Sequence, residues 1–146
     1  MTSAEDKLRT LAEGNANLQA DLGSNPFRWF DRQFAQGAIK TGTCVSVLRV
    51  STVRNYAQEG LRNVSGIRFQ IDVADFSPET ARAVASDVID FMNTLNQQTT
   101  AQEGTIFTAF LLNQRAGMYY ELPTPAYKES LDFRVWNLES EENEDN

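Results

Sequence analysis

Two stretches of strict apolar–polar alternation, separated by an amphipathic segment, constrain this chain more than any other feature. In Gly66-Ile67-Arg68-Phe69-Gln70-Ile71-Asp72-Val73 the residues Ile67, Phe69, Ile71 and Val73 share one side, and Arg68, Gln70 and Asp72 share the other. Ser130-Leu131-Asp132-Phe133-Arg134-Val135-Trp136-Asn137 repeats the pattern, with Leu131, Phe133 and Val135 apolar. A period of two predicts strands with one buried and one polar face. Between them, Ser77, Pro78 and Glu79 supply a cap, a first-turn proline and an acid suited to the start of a helix. Ala81, Val84, Ala85, Val88, Met92 and Leu95 then recur at three- and four-residue steps, while Arg82, Asp87 and Asp90 fall off that stripe.

The rest of the chain reads less cleanly. Ser3 is a candidate N-cap, and Leu8, Leu11, Leu18 and Leu22 follow at helical spacing, giving one helix with a poor middle around Gly14. Asn25-Pro26 looks like a second helix start, with Phe27, Phe30 and Phe34 along one side and Trp29 off that stripe. Thr43 to Val53 predicts a strand, and Arg54 to Gly66 a long loop carrying Tyr56 and Arg62. Thr105 to Asn113 and Met118 to Leu122 read as strands joined by a turn at Gln114-Arg115-Ala116-Gly117. Pro123 and Pro125 mark an exposed connection before the last strand, Lys128 to Leu138.

Charge is unevenly placed. The chain of 146 residues carries a net charge of −7, but five of its acids lie in the last eight residues, so the remainder is close to neutral. No basic footprint suggests specific nucleic-acid binding. We therefore expect one domain over residues 1–138 and an acidic, solvated tail over 139–146. No apolar run approaches the roughly 18 residues that cross a bilayer, so no membrane partner is expected. The N-terminus has no basic region leading into an apolar core, so no secretory signal is expected. Cys44 is the single cysteine and reads as a small buried strand residue.

The chemistry available is sparse. With no histidine, the commonest general base, the usual zinc ligand and the standard nucleophile triads are all missing. Neither a phosphate-cradling glycine loop nor a Gly-x-Ser-x-Gly elbow occurs. Asp72 and Asp75 lie three apart in a strand and its exit, a poor arrangement for a shared cation. Asp72 or Arg68 facing Arg134 or Asp132 across neighbouring strands is the simpler reading. No catalytic residue, cofactor or metal is expected, and the chain reads as a non-enzyme.

The strand Arg68-Phe69-Gln70-Ile71-Asp72-Val73, the helix pattern Ala81-x-x-Val84-Ala85-x-x-Val88, Tyr119-Tyr120-Glu121 with its proline turn, and Ser130-Leu131-Asp132-Phe133-Arg134-Val135-Trp136 occur in an order that resembles a known family. The resemblance is to the tail-terminator and tail-completion proteins of long-tailed bacteriophages, which join tail to head. It covers Val45 to Asn137, and the N-terminal third lies outside it.

That resemblance implies an α+β fold: a mostly antiparallel sheet with helices packed against it. It implies a virion protein at the tail–neck junction, assembled in the host cytoplasm as a homo-oligomeric ring, usually a hexamer. The implied partners are copies of itself, the tail tube protein and the head–tail connector or neck proteins. Genomic DNA would pass through the lumen without specific binding, which suits an acidic or neutral bore. The candidate interface residues are Phe27, Trp29, Arg54, Tyr56, Arg62, Arg68, Asp72, Asp132, Arg134 and Trp136. Alternatives are a head-completion or other neck ring protein and a non-viral protein-binding module.

Overall fold

Alternating apolar residues of the central strands meet one helical stripe, and the architecture follows from that encounter. The computed structural model describes residues 4–24, 26–31, 42–56, 63–95, 106–119 and 125–139. In chain order these form α1 (Ala4–Glu13), α2 (Ala16–Leu22), β1 (Trp29–Asp31), β2 (Cys44–Tyr56), β3 (Asn63–Asp75), α3 (Pro78–Thr94), β4 (Ile106–Tyr119) and β5 (Ala126–Glu139). The five strands make one sheet in the order β1-β2-β3-β5-β4. Only β1 runs parallel to its neighbour; the other pairings are antiparallel. The α+β expectation holds.

The predicted strand faces are observed. Ile67, Phe69, Ile71 and Val73 of β3 and Leu131, Phe133 and Val135 of β5 are buried on the side where the helices lie. From α3, Val84, Ala85, Val88, Phe91 and Met92 pack onto them. The Ser77 side chain accepts from Thr80 N–H, capping the helix as expected. One ion pair and one hydrogen bond, each made by an arginine lying over an aromatic ring, tie α1 to the same core. Arg49 makes a two-pronged contact with Glu5, at 3.0 and 2.5 Å, and its guanidinium lies 5.9 Å from the Phe69 ring centre. Arg9 lies over the Phe27 ring and donates to the Trp29 carbonyl.

Four sequence expectations are corrected. The first helix is two helices, because the Asn15 side chain accepts from Leu18 N–H and starts a new one after Gly14. The phenylalanine-rich segment is not helical: Trp29–Asp31 pairs with Val45–Val47 as a short parallel strand. Phe27 and Trp29 turn into the core, and Phe34 lies outside the described residues. The loop from Arg54 to Gly66 is mostly strand, since Arg54, Asn55 and Tyr56 pair with Ser65, Val64 and Asn63. The turn at residues 114–117 is absent. β4 runs straight through it, paired residue by residue with β5 down to Tyr119↔Ala126. Gly117 suits that position because Lys128 lies across it; an added Cβ would stand 2.9 Å from Lys128 Cε.

A pair of acids lies where α2 meets α3. Asp21 Oδ2 is buried without a hydrogen-bond partner among the described residues. Burial first, and then the neighbouring Asp87 carboxyl, push Asp21 from 3.8 up to about 7. The folded value lies above the unfolded one, so the native state keeps a proton that the unfolded chain releases. Stability therefore falls as pH rises from the unfolded value to about 7, then levels off. Asp21→Asn is expected to flatten that slope. Above neutral pH it should raise stability by about 1 kcal/mol, a figure discounted for partial solvent screening. Urea midpoints measured across the acidic range check this; an unchanged slope in the variant rules it out.

Candidate interaction surface

The polar residues of β3 and β5 have no helix over them, and together with β4 they make an open face. Alternation places Arg68, Gln70 and Asp72 of β3, Lys128, Ser130, Asp132, Arg134 and Trp136 of β5, and Asn113, Arg115 and Tyr119 of β4 on this side. Asp132 is its centre. It is only 4% exposed although it lies on the uncovered side of the sheet. Its Oδ2 lies 2.8 Å from Arg115 Nη1 and 3.7 Å from Arg68 Nη2. The hydrogen bond to Asp132, then that carboxylate's charge, raise the Arg115 guanidinium further above its ordinary value.

A second cluster adjoins the first. Gln70 Nε2 donates to both Asp72 oxygens at 3.2 and 3.3 Å, and Tyr119 Oη donates to Asp72 Oδ2 at 3.1 Å. Lys128 Nζ sits 4.7 Å from the centre of the Tyr119 ring. Trp136 lies across Gly66, where an added Cβ would stand 3.0 Å from Trp136 Cζ3. A Cβ at position 66 would require the indole to give by a few tenths of an ångström.

The expected charge pairing is therefore met along a diagonal. Arg68 stands directly opposite Arg134, Gln70 opposite Asp132 and Asp72 opposite Ser130. Like charges directly across a ladder repel, and Arg68 instead leans to Asp132. Arg134 is exposed and has no ion pair among the described residues.

Of the sequence-derived candidates, Arg68, Asp72, Asp132, Arg134 and Trp136 come together on this face. Phe27 and Trp29 lie in the core. Arg54 and Tyr56 lie in the outer half of β2, and Arg62 is outside the described residues. Sequence reasoning missed Arg115 and Tyr119 by placing a turn among them. The length of the final strand was the available signal, since a long strand needs a neighbour of similar length.

The open face is a set of charge pairs and hydrogen bonds within and between its strands. Asp72 and Asp75 do not converge: Asp75 accepts from Thr43 Oγ1 at 2.6 Å and from Ser77 N–H at 2.8 Å, away from the Asp72 cluster. Among the described residues no group of three or more His, Cys, Asp or Glu side chains could hold a metal. A groove between α1 and the end of α3 is lined by Thr10, Leu11, Gly14, Asn15, Phe91, Thr94 and Leu95, none of which titrates. No helix among the described residues is long and apolar enough to cross a membrane. Cys44 is buried, and burial pushes its thiol up to about 11.

No protein-family model matches the sequence, and no curated protein matches it. A solved structure does share the fold. The chain superposes with a TM-score of 0.68 on a chain of the structure described as "Virion of native gene transfer agent (GTA) particle". The two are 19% identical, and the match covers 93% of this chain and 95% of that one. At that identity the likeness is one of fold, carried across nearly the full length of both chains.

Proposed function

We propose that this chain is a structural protein of a virion: a tail-terminator or tail-completion subunit whose copies form a ring of six at the tail–neck junction. The observation that carries the reading is the end-to-end fold likeness to a chain of a gene transfer agent virion. It agrees with the resemblance of Arg68 to Val73, the α3 stripe and Ser130 to Trp136 to the phage terminator family. In this reading the chain works by shape. The single domain over residues 1–138 contacts its own copies, the tail tube protein and the neck proteins, and DNA passes through the bore unbound. The candidate residues Arg68, Asp72, Asp132, Arg134 and Trp136 supply contact surface, and the acidic tail over 139–146 stays solvated.

A terminator stops polymerisation, and that is directly measurable. Purified protein added to the polymerising tail-tube protein of the same particle is expected to cap tubes and fix their length. Rings that leave tube growth untouched would make the chain another neck component, such as a head-completion protein. A chain that neither oligomerises nor enters particles would be a binding module of another kind.

A further inference from the structure

The sheet ends in two edges, and the two edges match. β1 covers the outer side of β2 only along Val45–Val47. From Leu48 to Tyr56 that side pairs with no strand among the described residues, and neither does the outer side of β4. Long unpaired edges are templates for another strand, and proteins usually blunt them with charge, proline or brevity. Here both edge strands contain arginines, yet both also carry exposed apolar side chains. Leu48 and Val50 are 43% and 49% exposed on one edge; Phe110, Leu111 and Leu112 are 53%, 39% and 47% exposed on the other.

Three relations fit one edge to the other. The first is height along the strands. Leu48 aligns through Gln70 and Asp132 with Asn113, and Arg49 aligns through Phe69 and Phe133 with Leu111. Val50, the extra residue at one register shift, falls level with the gap between Phe110 and Leu111. Leu112, the extra residue at the other, falls level with the gap between Leu48 and Arg49, so the two stand about one residue apart in height on opposite edges. The second is direction. β2, β3, β5 and β4 alternate, so a copy rotated about an axis along the strands brings its β2 antiparallel to β4. The third is extent. β1 blocks the start of β2, and the free part lies level with Ile106–Asn113, the half of β4 that bears Phe110, Leu111 and Leu112. A heterologous contact between patches at one level closes on itself rather than climbing into a helix.

We propose that the outer edge of β4 in one copy adds to the free half of β2 in the next, so that one antiparallel sheet runs through each subunit joint. The occupant of each edge is a second copy of this chain, which depends on the ring reading above. Backbone hydrogen bonds hold the joint, and the packing of Leu48 and Val50 against Phe110 and Leu112 sets its register.

Cysteine pairs test the geometry. In a Cys44→Ala background, Leu48→Cys combined with Phe110→Cys or Asn113→Cys, all on the open face, is expected to give a ladder of disulfide-linked oligomers under non-reducing conditions. Leu48→Cys with Leu111→Cys, which turns to the helix side, is expected to give none. Separately, Val50→Lys with Leu112→Lys buries two charges in the joint. It should yield a monomer with an unchanged circular-dichroism spectrum, and if that variant misfolds the cysteine pairs still decide. Rings that survive the lysines and show no open-face cross-links overturn this joint while leaving tube capping, measured independently, intact. Wild-type protein that stays monomeric both alone and on tail tubes overturns the joint and the ring together.

Discussion

Trp29→Ala is expected to cost about 3–5 kcal/mol of unfolding free energy, the range for removing a large aromatic from a packed core. Trp29 is 2% exposed. Its ring stacks on Phe27 at 6.2 Å with planes 7° apart, and meets Phe91 edge-on at 6.3 Å and 87°. The indole thus joins β1 to α3, and its carbonyl accepts from Arg9 on α1. Domains of ordinary stability hold only about 5–15 kcal/mol in total, so the variant should be close to unfolding. Trp136→Ala, a half-exposed indole on the open face, serves as the contrast and should cost much less. Urea unfolding of both decides. Equal losses would mean that Trp29 is not part of the core.

Arg28→Ala is the second large effect, by a different mechanism. The Arg28 guanidinium donates through Nε to the Thr43 carbonyl at 2.8 Å and through Nη2 to the Asp21 carbonyl at 3.2 Å. One side chain therefore joins the end of α2 to the start of β2. Two glycines make room for it. Gly23, at φ 83°, would place a Cβ 3.0 Å from Nη1, and Gly42, at φ 155°, would place one 2.8 Å from Cζ. Hydrogen bonds from a charged donor contribute about 1.5–3 kcal/mol each. Arg28→Ala should therefore cost about 3 kcal/mol, with Gly42→Ala lowering stability in the same direction. Arg28→Lys should recover less than half, because an ammonium cannot present the planar fork that reaches both carbonyls. Full recovery by lysine would show that only the charge matters.

The parts of the fold legible in the sequence were those whose period is set by a single partner. Ile67 to Val73 and Leu131 to Val135 alternate because one side meets α3 and the other meets no helix. Their pattern is clean, and so is the stripe from Ala81 to Leu95. Phe27, Trp29 and Phe30 were illegible for the converse reason. Three residues of β1 cannot establish a period of two, and Asn25-Pro26 beside them imitates a helix start. Gln114 to Gly117 misled because glycine ordinarily marks a turn, whereas Gly117 here admits the Lys128 side chain from the next strand. Of the open face, the polar residues were readable from alternation alone. The order of strands was not, and without it neither the approach of Arg115 to Asp132 nor the matched levels of the two edges can be derived.

Cys44 packs with Ala74 and Ala126 in a small cluster backed by Phe30 and Tyr119, and its thiol is pushed up to about 11. At neutral pH roughly one such sulfur in ten thousand is ionised, and only the ionised form attacks a disulfide or an oxidant. A chain whose single thiol is this dormant gains nothing from disulfide exchange. Its durability in air would then rest on strand pairing and packing alone, with no scrambling of copies into covalent aggregates.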